Sequence, residues 1–158
     1  TSLYFSPNCV EQAREAIKRG ASIITDTNMA KAGINKRVLG KYGGEVLCFM
    51  ADEDIAKRAK ENGTTRAVAS MEKASELEGE YIIAVGNAPT ALIKLKELIE
   101  ENKIKPVLII AVPVGFVNVV EAKEIISKCN VPVIVARGRK GGSNLAAAIC
   151  NGILYGIE

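Results

Sequence analysis

Residues able to do chemistry gather in a few short stretches of this chain. The runs Ala84-Val-Gly-Asn-Ala-Pro-Thr-Ala-Leu-Ile93 and Ala111-Val-Pro-Val-Gly-Phe-Val-Asn-Val-Val120 each read as a buried strand passing straight into a helix. The first turn of a helix carries N–H groups without intrahelical partners, so such junctions suit negatively charged ligands. In the first run, Asn87, Pro89 and Thr90 fit two readings. One is a turn with Asn as helix cap and Pro in the first helical turn. The other is a ligand loop whose amides and Thr90 hydroxyl face a crevice. In the second run, Pro113 cannot donate to a strand ladder and Gly115 allows a ligand close to the backbone. Phe116 and Val117 then offer an apolar wall.

A third stretch, Arg137-Gly-Arg-Lys-Gly-Gly-Ser143, places three cations and three glycines just before a helix. It reads either as a solvated basic turn or as an anion loop. In the second case Arg137 and Arg139 supply guanidinium forks suited to carboxylates, and Gly138, Gly141, Gly142 and Ser143 supply close backbone approach. Thr65 and Arg66 sit at another helix start, where a cation is unfavourable unless an anion lies near. Glu121 belongs to a helix, facing either water or the pocket. Asp26 ends a strand and either caps the following turn or orients another pocket group.

Other chemistries lack their residues. The order of the basic loop does not match GxxxxGK[ST], and no GxGxxG occurs. The chain contains no histidine, which removes Ser/His/Asp and Cys/His nucleophile sets. No metal-ligand spacing is visible, and neither cofactor nor metal is expected.

Five strands are expected, at residues 22–25, 45–50, 81–85, 106–112 and 132–136, with helices between them. Helices are expected over residues 8–19, 53–62, from 64 or 65 to about 77, from Pro89 onward, 119–128 and 144–155. The alternation predicts a single α/β domain over residues 1–158: a doubly wound, mainly parallel five-stranded sheet with helices on both faces. The chain then begins with a helix feeding the first strand. Ala146, Ala147, Ala148 and Gly152 give the last helix a small-residue character, suited to packing on the sheet or on a second subunit.

Composition agrees with this class. Of 158 residues, 48% are hydrophobic and only 4% aromatic, so the core rests on aliphatic side chains, as in parallel sheets covered on both faces. The net charge of +3 is too small to suggest nucleic-acid binding. The scattered cysteines Cys9, Cys48, Cys129 and Cys150 form no CxxC pair, which fits reduced thiols and a cytoplasmic location. No apolar run approaches the roughly 20 residues of a membrane span, so no membrane partner is expected.

The blocks Gly86-Asn-Ala-Pro-Thr-Ala91, Pro113-Val-Gly-Phe-Val117 and Arg137-Gly-Arg-Lys-Gly-Gly-Ser143, in that order, resemble the precorrin-8X methylmutase family. Phe5-Ser-Pro7, the segment from Asp26 to Gly33, and Thr65-Arg-Ala67 extend the likeness over the whole chain. Ala67 and Ala122 stand where the family has serine. The resemblance implies an isomerase of cobalamin biosynthesis that moves a methyl group between adjacent ring carbons of precorrin-8X or cobalt-precorrin-8. It implies a small-molecule corrinoid substrate, no cofactor and a homodimer. It also puts Arg66 and the acidic Glu121 at the pocket. The family's catalytic histidine lies on a preceding helical section, so the expectation is a chain without that section. The alternative is a corrinoid-binding relative that performs no isomerisation. A nucleotide- or S-adenosylmethionine-dependent enzyme ranks last, because no Gly-rich loop follows Ile24.

Overall fold

The computed structural model describes residues 3–115 and 118–157. Six strands form one mixed sheet: β1 (Leu3–Phe5), β2 (Ser22–Thr25), β3 (Val46–Cys48), β4 (Tyr81–Val85), β5 (Leu108–Ala111) and β6 (Val133–Ala136). Their order across the sheet is β1-β6-β5-β4-β2-β3. All neighbours are parallel except β1, which pairs antiparallel with β6.

The described helices are α1 (Cys9–Lys18), α2 (Asn28–Gly33), α3 (Lys36–Gly40), α4 (Glu53–Asn62), α5 (Arg66–Ser75), α6 (Pro89–Glu100), α7 (Val119–Ser127) and α8 (Ser143–Tyr155). The sheet divides the interior into two cores. Ile82, Ala84, Leu108, Ile110, Ile134 and Ala136 face the core shared with α1, α2, α3 and α8. Ile83, Val85, Ile109, Ala111, Val133 and Val135 face the core shared with α4 to α7. This strict alternation is the two-residue period of a strand with apolar cover on both sides. Each fully buried Ile or Leu contributes roughly 1.5–3 kcal/mol of transfer free energy.

Two expectations are corrected. The sheet has six strands rather than five, and the first described element is a strand, not a helix. Three residues followed by Ser6-Pro7 give too short a pattern to stand out. The strand forms because β6 offers an open edge and the Ser6 hydroxyl accepts from Val133 N–H at 2.8 Å. The short helices α2 and α3 lie where no helix was expected. Side-chain caps start both: Thr27 accepts from Ala30 N–H, and Asn35 accepts from Arg37 and Val38 N–H.

The sheet order creates a switch point. From β2 the chain runs outward to β3 and then returns to β4 on the other side of β2. Helix α2 therefore leaves β2 toward one core while α6 leaves β4 toward the other. A crevice opens between such diverging helices, beyond the carboxyl ends of the strands.

Candidate functional site

The crevice at the switch point has a volume of about 420 Å3 and is lined by Thr27, Met29, Gly86, Asn87, Val114, Gly141, Gly142, Ser143 and Asn144. These residues follow β2, β4, β5 and β6, so the ends of the last three strands converge on one depression. The loop after β6 makes this possible by running back over the end of β5. Gly142 N–H donates to Val112 O at 2.8 Å, and a Cβ on Gly141 would overlap Val112 O. Gly86 is equally constrained, since its Cβ would stand 2.9 Å from Ser143 Cα. The Thr27 and Ser143 hydroxyls, 2.7 Å apart, fasten the start of α2 to the start of α8. Met29 and Val114 are 66% and 46% exposed at the mouth, an apolar rim around polar backbone.

Asp26 organises the β4–α6 side. It is buried, and its carboxylate accepts from Gly86 N–H at 2.8 Å, Asn87 N–H at 2.9 Å and Ala88 N–H at 2.8 Å. Burial pushes the carboxyl above its ordinary value, and the three amides partly offset this. Asp26 thus caps the loop before α6, while Thr27 caps α2. Two readings are corrected here. Asn87 makes no cap, since Ala88 is the N-cap residue and no side chain of its own turn bonds the helix start. The amides of residues 86–88 do not face a ligand either, because Asp26 has taken them.

The β6–α8 side is the reverse case. Gly142, the N-cap of the 13-residue α8, has φ of +125° and provides no side-chain cap. The first-turn amides of α8 therefore keep their anion-binding capacity, aided by about half a unit of positive dipole charge. They open beside Ser143 and Asn144 in the crevice.

Sequence reasoning missed Lys123. Its ammonium is buried, 3% exposed, and donates to Gly138 O and Lys140 O, each at 2.8 Å. Burial pushes its pKa down. A signal was present, since position 123 falls on the apolar stripe of α7 with Val119 and Ala122, where a lysine needs buried acceptors. Asp26 carried no comparable signal beyond its place at a strand end.

The remaining candidates distribute around this centre. Asn87, Gly141, Gly142 and Ser143 meet in the crevice. Pro89 and Thr90 begin α6, with Thr90 exposed. Arg137 and Gly138 line a separate depression of about 410 Å3 with Tyr4, Val120, Lys123 and Glu124. The Arg137 guanidinium lies 5.7 Å from the Tyr4 ring centre. Arg139 is exposed on the same loop. Gly115, with φ of +138°, turns the chain out of β5. Glu121 is exposed in the first turn of α7. Thr65 caps its own helix by accepting from Val68 N–H, and Arg66 lies 3.5 Å from Met50 O beyond β3. Neither Thr65 nor Arg66 lines the crevice. Phe116 and Val117 lie outside the described residues. Among the described residues no three of His, Cys, Asp and Glu come together as a metal cluster, and no helix is long and apolar enough to cross a membrane.

The sequence profile of precorrin-8X methylmutase matches residues 1–156. The chain belongs to this family. Cobalt-precorrin-8 methylmutase of Methanocaldococcus jannaschii is 46% identical over 152 residues, covering 96% of this chain and 69% of that one. The enzyme of the same name from Priestia megaterium is 43% identical over 152 residues, with 96% and 68% covered. The crystal structure of precorrin-8X methylmutase from Thermus thermophilus superimposes with a TM-score of 0.87 at 39% identity, over 97% of this chain and 75% of that one. Of the blocks that carry the resemblance in sequence, residues 86–91, 113–115 and 137–143 follow β4, β5 and β6 at the carboxyl end of the sheet.

Proposed function

We propose that this methylmutase-family chain works as an isomerase of cobalamin biosynthesis, moving a methyl group between adjacent ring carbons of precorrin-8X or cobalt-precorrin-8 to give hydrogenobyrinate or cobyrinate. The observation that carries this reading is the convergence of three strand-to-helix turns, in a chain matched by the family over residues 1–156. The rearrangement breaks one carbon–methyl bond and forms another on the neighbouring carbon, with no change in composition. The protein's task is then to hold a ring bearing many carboxylates and to fix its protonation.

The chain's own residues fit the holding part. The uncapped start of α8 and the exposed Arg139 and Lys140 of the loop before it suit carboxylates on one flank, and Arg66 suits them on the other. Four inter-strand steps of about 4.8 Å, or about 19 Å, separate β6 from β3, so a broad macrocycle with acidic arms can engage both flanks. Met29 and Val114 give apolar contact to the ring edge. Proton transfer has no evident owner among the described crevice residues. Asp26 is committed to three amides, and the Thr27 and Ser143 hydroxyls bond each other.

A homodimer, with pockets near the subunit interface, and a cytoplasmic location complete the reading. Ala148, Gly152 and Tyr155 form an exposed line on α8, while Ala147 is buried and packs near Gly33. Sedimentation equilibrium tests the dimer, for which a monomer mass is the adverse result. For the activity, the protein is mixed with precorrin-8X and the spectrum is followed toward the fully conjugated corrin. Conversion is expected. Tight binding with an unchanged spectrum would instead favour the corrinoid-binding alternative.

A further inference from the structure

The buried ammonium of Lys123 has no evident reason to exist if α7 needs only to pack. The helix already buries Val119, Ala122 and Ile126, and burying a cation is costly unless hydrogen bonds compensate it. The cost is raised by position, since Lys123 lies beneath a loop that carries Arg137, Arg139 and Lys140. Its contacts are specific. Nζ reaches the carbonyls of Gly138 and Lys140, two residues apart, and so holds the middle of the loop from below.

Those two bonds also fix what the loop shows on its other side. A trans peptide is planar, with C=O and N–H pointing in opposite directions. Drawing the Lys140 carbonyl toward Lys123 turns the Gly141 N–H away from it. Gly138 lines the depression that contains Lys123, whereas Gly141 lines the crevice. Among the described residues no acceptor takes the Gly141 N–H. The next amide, Gly142 N–H, is fixed on Val112 O, so the loop is anchored on both sides of Gly141.

We propose that Lys123 is a positioning residue for ligand binding: by holding the Gly138 and Lys140 carbonyls it presents the Gly141 amide to a carboxylate of the bound corrinoid. This inference deepens the functional reading above and rests on it. Lys123 itself touches no ligand. An apolar residue of similar length would pack as well but would leave the loop free to turn its carbonyls toward the crevice. That would set carbonyl oxygens against the carboxylates they should receive.

The test uses cobyrinate as probe, with the wild-type chain and Lys123→Met. The variant is expected to bind roughly tenfold more weakly, the loss of one charge-assisted contact. Trypsin should cut selectively after Arg137, Arg139 and Lys140 in the variant, with cleavage elsewhere unchanged. Hydrogen exchange supplies a readout that needs no variant, since cobyrinate should slow exchange at the Gly141 amide of the wild-type protein. Unchanged affinity in Lys123→Met overturns the inference, as does wild-type binding that leaves Gly141 exchange unaltered. Failure of the wild-type protein to bind cobyrinate is a different result. It sinks the functional reading, and trypsin cleavage then decides alone whether Lys123 holds the loop.

Discussion

Helices α6 and α8 begin side by side at the carboxyl end of the sheet, yet their first turns are in opposite electrostatic states. The loop before α6 gives three amides to the Asp26 carboxylate, so an internal anion already occupies what could have been a ligand site. The loop before α8 is held through its carbonyls by the Lys123 ammonium, which leaves amides outward. Both devices use a buried charge on backbone groups. The sign of the charge decides which helix start remains open to an acidic substrate. A strand-to-helix junction is therefore not a binding site until the fate of its amides is known.

Asp26→Ala is expected to have the largest effect on the closed side, because it orphans three amides, including the buried Gly86 N–H. A loss of about 3 kcal/mol in denaturant unfolding is expected. A loss below about 1 kcal/mol would mean that water replaces the carboxylate with little penalty, and would end the contrast between the two helices. Arg66→Ala examines the far flank, where cobyrinate affinity should fall by roughly 1.5–3 kcal/mol if the ring spans from β3 to β6. Unaltered titration curves would confine the ligand to the α8 side.

Gly86→Ala forces a Cβ against the Gly142 and Ser143 backbone. It should lower stability by about 1–3 kcal/mol and weaken cobyrinate binding, because it pushes the two helix starts apart. Full stability would show that the contact yields without resistance. Thr27→Val removes both the α2 cap and the bond to Ser143, for which about 1 kcal/mol is expected by thermal unfolding. No change in Tm would show that the hydroxyl pair does not fasten α2 to α8.

The smallest stability effect belongs to Lys123→Met, under about 1 kcal/mol, because two hydrogen bonds and the desolvation of a cation disappear together. Its pH behaviour sharpens the point. Burial holds Lys123 below the usual lysine range. Between that native value and the unfolded value near 10.4, the unfolded chain binds the extra proton. Wild-type stability should therefore rise as pH climbs through this alkaline window. Lys123→Met should lack that rise, and parallel curves for the two proteins would show that the ammonium is not desolvated in solution.

Much of the fold was legible because its signals are local. The aliphatic runs marked β2, β4, β5 and β6 within a few residues. Pro89 and Gly63 marked a helix start and a helix stop, the latter in the left-handed conformation at φ of +64°. The misses have local causes as well. Strand β1 has only three residues, and α2 and α3 are too short to establish a helical period. At the site, Asn87, Gly141, Gly142 and Ser143 were picked out by turn chemistry and do meet in one crevice. Arg137 was picked out by charge alone, and the structure turns it toward Tyr4 instead.

From its sequence alone the chain determined its alternation of strand and helix, its family and the turns that bear small and basic residues. These follow from side-chain period and backbone preference, which operate over a few residues. Tertiary structure decided which amides remain available. Asp26 lies 60 residues from Gly86, and Lys123 lies 15 from Gly138. Only the sheet order, which places β2 beside β4 and carries the loop after β6 back over β5, brings those charges to their partners.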